Sequence, residues 1–266
     1  MVPAHVLELA RLAHGAGRIV EEVRAGDIDV RLKPDESPVT QADTLAEAFI
    51  EEALGRSFPG VPVIGEELVA AGRAVSPGKR FFLVDPLDGT REFIAGRDSY
   101  STNIALVEHG RSVAGAVYAP ARGELFAAAP GEGLWRAEID PQAVFDAALL
   151  RPYAPPRTER RKPKVAVVSF SHLDEKTEAW LAERGVTEQL RMGSAWKFCV
   201  LVKGEADVYP RFGPTMEWDT AAGQAVLEAA GGRTLLPDLS GPLTYDHEES
   251  RFLNPGFVAL APGVEL

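Results

Sequence analysis

The chain has 266 residues, 45% of them hydrophobic and 25% charged, enough to bury one large core or two closely packed halves. A net charge of −11 excludes the broad basic face of a nucleic-acid-binding protein, and no run approaches the ~18 apolar residues of a membrane span. Met1 to Arg11 lacks the basic start and apolar centre of a signal peptide, and the single cysteine, Cys199, cannot form an internal disulfide; both fit a reducing cytoplasm.

Val6, Leu9, Ala13, Ala16, Val20 and Val23 recur at three and four residues, which predicts an amphipathic helix ending near Gly26. Lys33 to Val39 reads as an extended polar loop. Thr40 then caps a second helix running to about Leu54, and Asp43 at its third position reads locally as the carboxylate of a capping box. Val61 to Ile64 is a short strand that stops at Gly65-Glu66-Glu67.

Phe81-Phe82-Leu83-Val84 is a strand covered on both faces, and it empties into Asp85-Pro86-Leu87-Asp88-Gly89-Thr90. Strict alternation would send Asp85 and Asp88 to opposite sides. A turn built on Pro86 and Gly89 is therefore expected to swing both carboxylates toward one point. Two carboxylates about 4 Å apart repel by roughly 4 kcal/mol at an effective dielectric of about 20, so such a site needs protons or cations. Hard oxygen ligands select Mg²⁺, Ca²⁺ or Mn²⁺. Taken alone, the same string fits a surface turn equally well.

Arg91 to Ile94 can begin a short helix with the amides of Gly89 and Thr90 at its start, an arrangement suited to an anion. From Thr102 to Trp135, short apolar runs separated by Gly- and Pro-containing turns predict an antiparallel meander, with His109 as a turn residue. Pro152, Pro155, Pro156 and Pro163 mark a seam, and the basic cluster from Arg157 to Lys164 within it reads as a solvated linker. Beyond the seam, strands and helices alternate: Val165 to Ser169, Glu175 to Arg184, a strand near Gln189, Ala195 to Val202 and Ala206 to Tyr209. Cys199 lies in an apolar run and reads as a buried thiol. Asp219 stands where an N-cap stands, before a helix running to Gly231 whose small residues Ala221, Ala222 and Gly223 permit close approach to a neighbour. Phe257 to Leu260 closes the fold as a strand.

Glu66, Asp85, Asp88 and Asp219 all fall at the ends of elements, and one shared metal site accounts for the four together. In order, Asp43, Gly65-Glu66-Glu67, Asp85-Pro86-Leu87-Asp88-Gly89-Thr90 and Trp218-Asp219-Thr220-Ala221-Ala222-Gly223 resemble the lithium-sensitive, magnesium-dependent phosphatases of the inositol monophosphatase family. The resemblance spans most of the chain. Within the family it is nearest to the 3'(2'),5'-bisphosphate nucleotidases of sulfate assimilation. Three stretches carry that: Arg91-Glu92-Phe93, where inositol monophosphatases usually have an Asn-Phe pair; Ser37 to Asp43; and Gly193 to Cys199 followed by Gly204 to Thr215.

The resemblance implies an α/β layered sandwich of the αβαβα kind, with an antiparallel-rich subdomain over residues 1–155 and an α/β subdomain over 156–266. It implies that Glu66, Asp85, Asp88, Asp219 and the Leu87 carbonyl hold two or three Mg²⁺ ions, with Mn²⁺ as a substitute. Asp43 and Thr90 would orient the attacking water, with Glu66 also in the catalytic set. Gly89 and Thr90 would receive the phosphate, Ser194, Lys197 and Arg211 would contact the nucleotide and its second phosphate, and His172 would lie near the base, although a capping role for His172 stays open. The implied reaction is hydrolysis of the 3'-phosphate of adenosine 3',5'-bisphosphate, or of its phosphosulfate analogue, in the cytoplasm. The implied partner is a small phosphate ester, not a nucleic-acid polymer or a membrane; a homodimer is compatible with the family, and no stretch is diagnostic of an interface.

Three rival readings stay open at this level. One is a sibling specificity for inositol monophosphate or a sugar phosphate. Another is a silent homologue that only binds, which the water-orienting pair Asp43 and Thr90 argues against. The third is a haloacid-dehalogenase-like phosphatase with an aspartyl nucleophile, but that motif requires Asp-x-Asp, whereas Asp85 and Asp88 are three residues apart with Pro86 between them.

Overall fold

Apolar alternation and helix caps carry most of the architecture in the computed structural model, which describes residues 1–33, 36–73, 76–156, 159–171, 173–245 and 247–266. Helix α1 (Ala4–Arg24) buries Val6, Leu9, Ala13, Ala16 and Val20 on one face, as the spacing predicts. A hairpin of β1 (Val30–Leu32) and β2 (Pro38–Thr40) follows, paired antiparallel where the sequence suggested only an extended loop. Helix α2 (Gln41–Ser57) starts at a capping box of Thr40 and Asp43. Strand β3 (Val63–Gly65) runs into the short helix α3 (Glu66–Ala70).

Strand β4 (Arg80–Asp88) is followed by helix α4 (Thr90–Ile94) and the meander β5 (Ser101–Glu108), β6 (Arg111–Ala119), β7 (Glu124–Ala129) and β8 (Gly133–Glu138), with a two-residue β9 (Arg151–Pro152) at its edge. These form a seven-stranded sheet in the order β3-β4-β5-β6-β7-β8-β9, antiparallel apart from the β3–β4 pair. The second half contributes β10 (Val165–Ser169), α5 (Glu175–Glu183), β11 (Glu188–Met192), α6 (Trp196–Val202), β12 (Val208–Arg211), α7 (Ala221–Ala229), β13 (Arg233–Leu235) and β14 (Phe257–Leu260). Its five strands pair in the order β11-β10-β12-β14-β13. Among the described residues, no helix is long and apolar enough to cross a membrane.

The two faces of β4 explain the layering. Phe82 and Val84 join the core formed with α1 and α2, while Phe81 and Leu83 point the other way into a second core shared with α6, α7 and the smaller sheet. Trp180 and Leu181 of α5 join that second core, which gives the layer order helix, sheet, helix, sheet, helix. Each fully buried Phe on β4 contributes about 1.5–3 kcal/mol of transfer free energy.

Close helix–sheet approach rests on small residues, as expected for α7. A Cβ placed on Gly115 of β6 would lie 2.7 Å from the Ala222 carbonyl oxygen, and one on Gly223 would lie 2.3 Å from the Phe198 ring. We expect Gly115→Ala to lower stability by about 1–3 kcal/mol through overpacking against the α7 backbone. Chemical denaturation measures this, and an unchanged midpoint would contradict the packing described.

Candidate active site

The site begins with a break in the β4–β5 ladder. Asp85 pairs with Asn103 and Asp88 with Ser101, so three steps along β4 oppose two along β5. This is a β-bulge within a continuing strand, where the sequence suggested a turn. Pro86 offers no N–H to the ladder, while its carbonyl accepts from Thr102 Oγ1 at 2.9 Å and the Leu87 N–H donates to Asp85 Oδ1 at 3.0 Å. One extra residue reverses the alternation, which is why Leu87 joins the α1–α2 core beside Phe82 and Val84. Asp85 and Asp88 are thereby left on the same side of the sheet.

Asp219 arrives from the second half at the end of a 3₁₀ turn, Glu217–Asp219. It does not cap α7, whose N-cap is Thr220; its Oδ2 instead accepts the Met216 N–H at 2.8 Å, closing its own turn. Asp85, Asp88 and Asp219 each present an oxygen within 4.8 Å of the others. Asp88 also spans the two halves, accepting from Asn103 Nδ2 at 3.2 Å and from the Ala195 N–H.

Glu66, the first residue of α3, lines the same cavity, but Lys33 Nζ lies 2.6 Å from its Oε1 and 2.6 Å from Glu67 Oε1. Asp43 serves two purposes at once. Its Oδ2 accepts from the Thr40 N–H and hydroxyl, each at 2.7 Å, while its Oδ1 accepts from Thr90 Oγ1 at 3.1 Å. Gly89 holds φ at 95°, the left-handed region, and a Cβ there would crowd the Ser99 carbonyl oxygen at 3.1 Å, so glycine is required at the entry to α4.

Glu66, Asp85, Asp88, Gly89, Thr90 and Asp219 line a cavity of roughly 390 Å³; Asp43 is buried behind Thr90 and is not among the lining residues. The cavity floor is acidic. Ser194, Lys197 and Arg211 lie on another wall, with Lys197 and Arg211 both buried. Lys197 Nζ donates to the Ser194 carbonyl oxygen at 2.5 Å and stands 5.0 Å above the Tyr209 ring. Arg211 Nη2 donates to the Pro214 carbonyl oxygen at 2.7 Å, and its buried Nε has no hydrogen-bond partner among the described residues. His172 lies outside the described residues.

A model of the inositol monophosphatase family matches residues 3–260. The chain belongs to the inositol monophosphatase family. Among family members, the 3'(2'),5'-bisphosphate nucleotidase CysQ of Escherichia coli (strain K12) is 40% identical over 253 residues, covering 94% of this chain and 97% of that protein. The protein of that name from Haemophilus influenzae is 30% identical over 257 residues, covering 96% and 92%. The crystal structure of CysQ from Bacteroides thetaiotaomicron superposes with a TM-score of 0.80 at 33% identity, with 97% of each chain covered. Mycobacterium tuberculosis SuhB superposes with a TM-score of 0.70 at 27% identity, covering 98% of this chain and 92% of that one.

The family depends on divalent metal, and the donor set here fits it: hard carboxylate oxygens that converge, with Asp85 buried and Asp88 and Asp219 half-buried against the cavity. Burial pushes the Asp85 carboxyl well above the ordinary range, and the charges of Glu66, Asp88 and Asp219 add to the effect. Burial likewise raises Asp219 to about 8, helped by Asp88 and Glu66, and raises Asp88 to about 6 against the opposing pull of Lys197. Lys197 itself is lowered to about 8 by burial, although Asp88 favours its charge. Burial also raises Asp43, opposed by its bonds to Thr40.

Lys33 and Asn103 belong to this constellation and were missed in the sequence. Lys33 carried no local signal. Asn103 did carry one, since Ser101-Thr102-Asn103 is a polar triplet, fully buried, at the start of a strand paired with β4.

Carboxyls whose folded pKa is raised stabilise the metal-free fold below their unfolded pKa, and that stability is lost as pH climbs through the folded values. The window here runs from about pH 4 to about pH 8. In EDTA, the melting temperature is expected to fall between about pH 5 and pH 8, and added Mg²⁺ or Mn²⁺ should raise it more at the upper end, where fewer protons compete. A melting temperature that rises with pH in EDTA would contradict this account.

Proposed function

We propose that the protein is a 3'(2'),5'-bisphosphate nucleotidase: a Mg²⁺-dependent phosphomonoesterase that removes the 3'-phosphate of adenosine 3',5'-bisphosphate to give AMP and phosphate, or that of its phosphosulfate analogue to give adenosine 5'-phosphosulfate and phosphate. The observation that carries the reading is a cavity with acid on its floor and buried cations on its wall, in a chain 40% identical to nucleotidases over most of its length. Such a cavity suits a ligand with two anionic groups.

On this reading Asp85, Asp88, Asp219, Glu66 and the Leu87 carbonyl hold the ions. Bound there, divalent metal supplies hydroxide at neutral pH and charge for the leaving oxygen. The chain contributes position and proton handling. Thr90 Oγ1 has acceptors in both Asp43 Oδ1 and the Leu87 carbonyl, at 3.1 and 3.2 Å, so its lone pairs are directed away from them toward a water. That water is held beside the phosphate, which the backbone of Gly89 and Thr90 receives. Lys197 and Arg211 take the second phosphate, and Ser194 the nucleotide beside it. The charge-assisted contacts of that wall separate this substrate from an inositol monophosphate, which has no second anion. Magnesium as the working ion, inhibition by lithium and a cytoplasmic setting are parts of the same proposal.

A substrate panel measured as phosphate release tests it. Adenosine 3',5'-bisphosphate should be turned over far faster than inositol 1-phosphate at equal concentration with Mg²⁺; the reverse order would sink the assignment. Arg211→Ala should raise KM for the bisphosphate more than for adenosine 3'-monophosphate. Thr90→Ala should lower kcat by ~100-fold or more while metal binding persists.

A further inference from the structure

Glu47 belongs to none of the sequence motifs that carry the site. It sits on α2 one turn after Asp43, on the same helix face, and is 4% exposed. Its carboxylate reaches across to α3, where Oε1 accepts the Glu67 N–H at 2.9 Å; the Leu68 amide faces it as well. The N-cap of α3 is Gly65, which has no side chain to accept these orphan donors. Space for Glu47 exists because residue 65 is glycine: a Cβ on Gly65 would lie 2.2 Å from Glu47 Oε1. The backbone at Gly65, φ −122° and ψ 158°, is ordinary extended conformation, so the carboxylate, not the dihedral, excludes a side chain.

A cap for stability alone would be simpler as Ser or Asp at position 65 itself. The chain instead leaves that position bare and borrows a buried carboxylate from α2, close to Glu66 and Glu67, whose charges oppose its own. The borrowed cap ties the first turn of α3 to the helix that carries Asp43. Glu66 is the first residue of that turn. We infer that Glu47 is a positioning residue, which clamps the start of α3 through Gly65 and so holds the Glu66 carboxylate in register with Asp85, Asp88 and Asp219 for metal binding. This rests on the metal-dependent reading above.

The test is direct Mn²⁺ binding without substrate, followed by electron paramagnetic resonance of the free ion, alongside the melting temperature in EDTA. Glu47→Ala should weaken Mn²⁺ affinity ~10–100-fold, the range for residues that orient ligands. The EDTA melting temperature should change little, and KM for the bisphosphate at saturating metal should stay within about twofold. Glu47→Gln keeps an oxygen for the Glu67 N–H and should recover most of the affinity. Gly65→Ala should act by displacing the same carboxylate, so the double variant with Glu47→Ala should bind no worse than the poorer single variant.

Wild-type Mn²⁺ affinity in a folded Glu47→Ala protein would overturn the inference, and so would additive losses in the double variant. If Glu47→Ala does not fold, Gly65→Ala decides alone, and unchanged affinity there overturns it. Wild-type protein that binds Mn²⁺ but ignores the bisphosphate removes the proposed substrate and leaves this inference standing. Bisphosphate hydrolysis together with an indifferent Glu47→Ala does the opposite.

Discussion

Carboxylates about 4 Å apart repel by roughly 4 kcal/mol even at an effective dielectric of 20, and Asp85, Asp88 and Asp219 bring three of them within 4.8 Å inside the protein. Each is restrained by donors from a different part of the chain: Leu87 N–H on Asp85, Asn103 and Ala195 N–H on Asp88, and Met216 N–H on Asp219. No single element could assemble this cluster. It exists only once the seven-stranded sheet, the start of α6 and the turn before α7 have come together. The repulsion that remains suits the cluster to a cation.

The same logic explains where the cations of an acidic chain have gone. Lys33 contacts Glu66 and Glu67, and Lys197 lies buried near Asp88. Burial disfavours the charge on Lys33, but the two glutamates outweigh it and raise its pKa; for Lys197 burial prevails and lowers it. One lysine is thus firmly charged against the acidic floor. The other is held in a desolvated wall, where an anionic ligand would restore the favourable field that burial removed.

Much of this could be read from residue order, and the errors are informative. The apolar run of β4 and the convergence of Asp85 with Asp88 were legible. The means was not: Pro86 suggested a turn, whereas a missing ladder donor is equally served by a bulge, which keeps the strand going and shifts parity by one residue. Asp43 posed a choice between helix cap and contact with Thr90, and the structure shows that the two do not compete, because one oxygen takes the cap and the other accepts from Thr90. Asp219 stood at a helix start for a reason other than capping that helix. Asn103 left a trace in its polar triplet but not its partner, and Lys33 and Glu47 left none, because the meaning of all three is tertiary. Each gains its partner from an element 20 or more residues away or across a sheet, and no local period encodes that.

The position of α2 is therefore a property of the core that the site inherits. Ala42, Ala46 and Ala53 on its buried face are small, and with Ile50 and Leu54 they set how deeply the helix sits on the sheet that carries β4. Asp43 and Glu47 occupy the same buried side, one turn apart, and they face Thr90 and the start of α3 respectively. Interiors pack near crystal density, so a shift of this helix by even part of an ångström has no slack to absorb it. Such a shift would move the partner of Thr90 and the anchor of Glu66 together and in the same direction. Placing both on one rigid helix keeps the Asp43–Thr90 pair and the turn that carries Glu66 at a constant separation as the core fluctuates, which separate loops could not do.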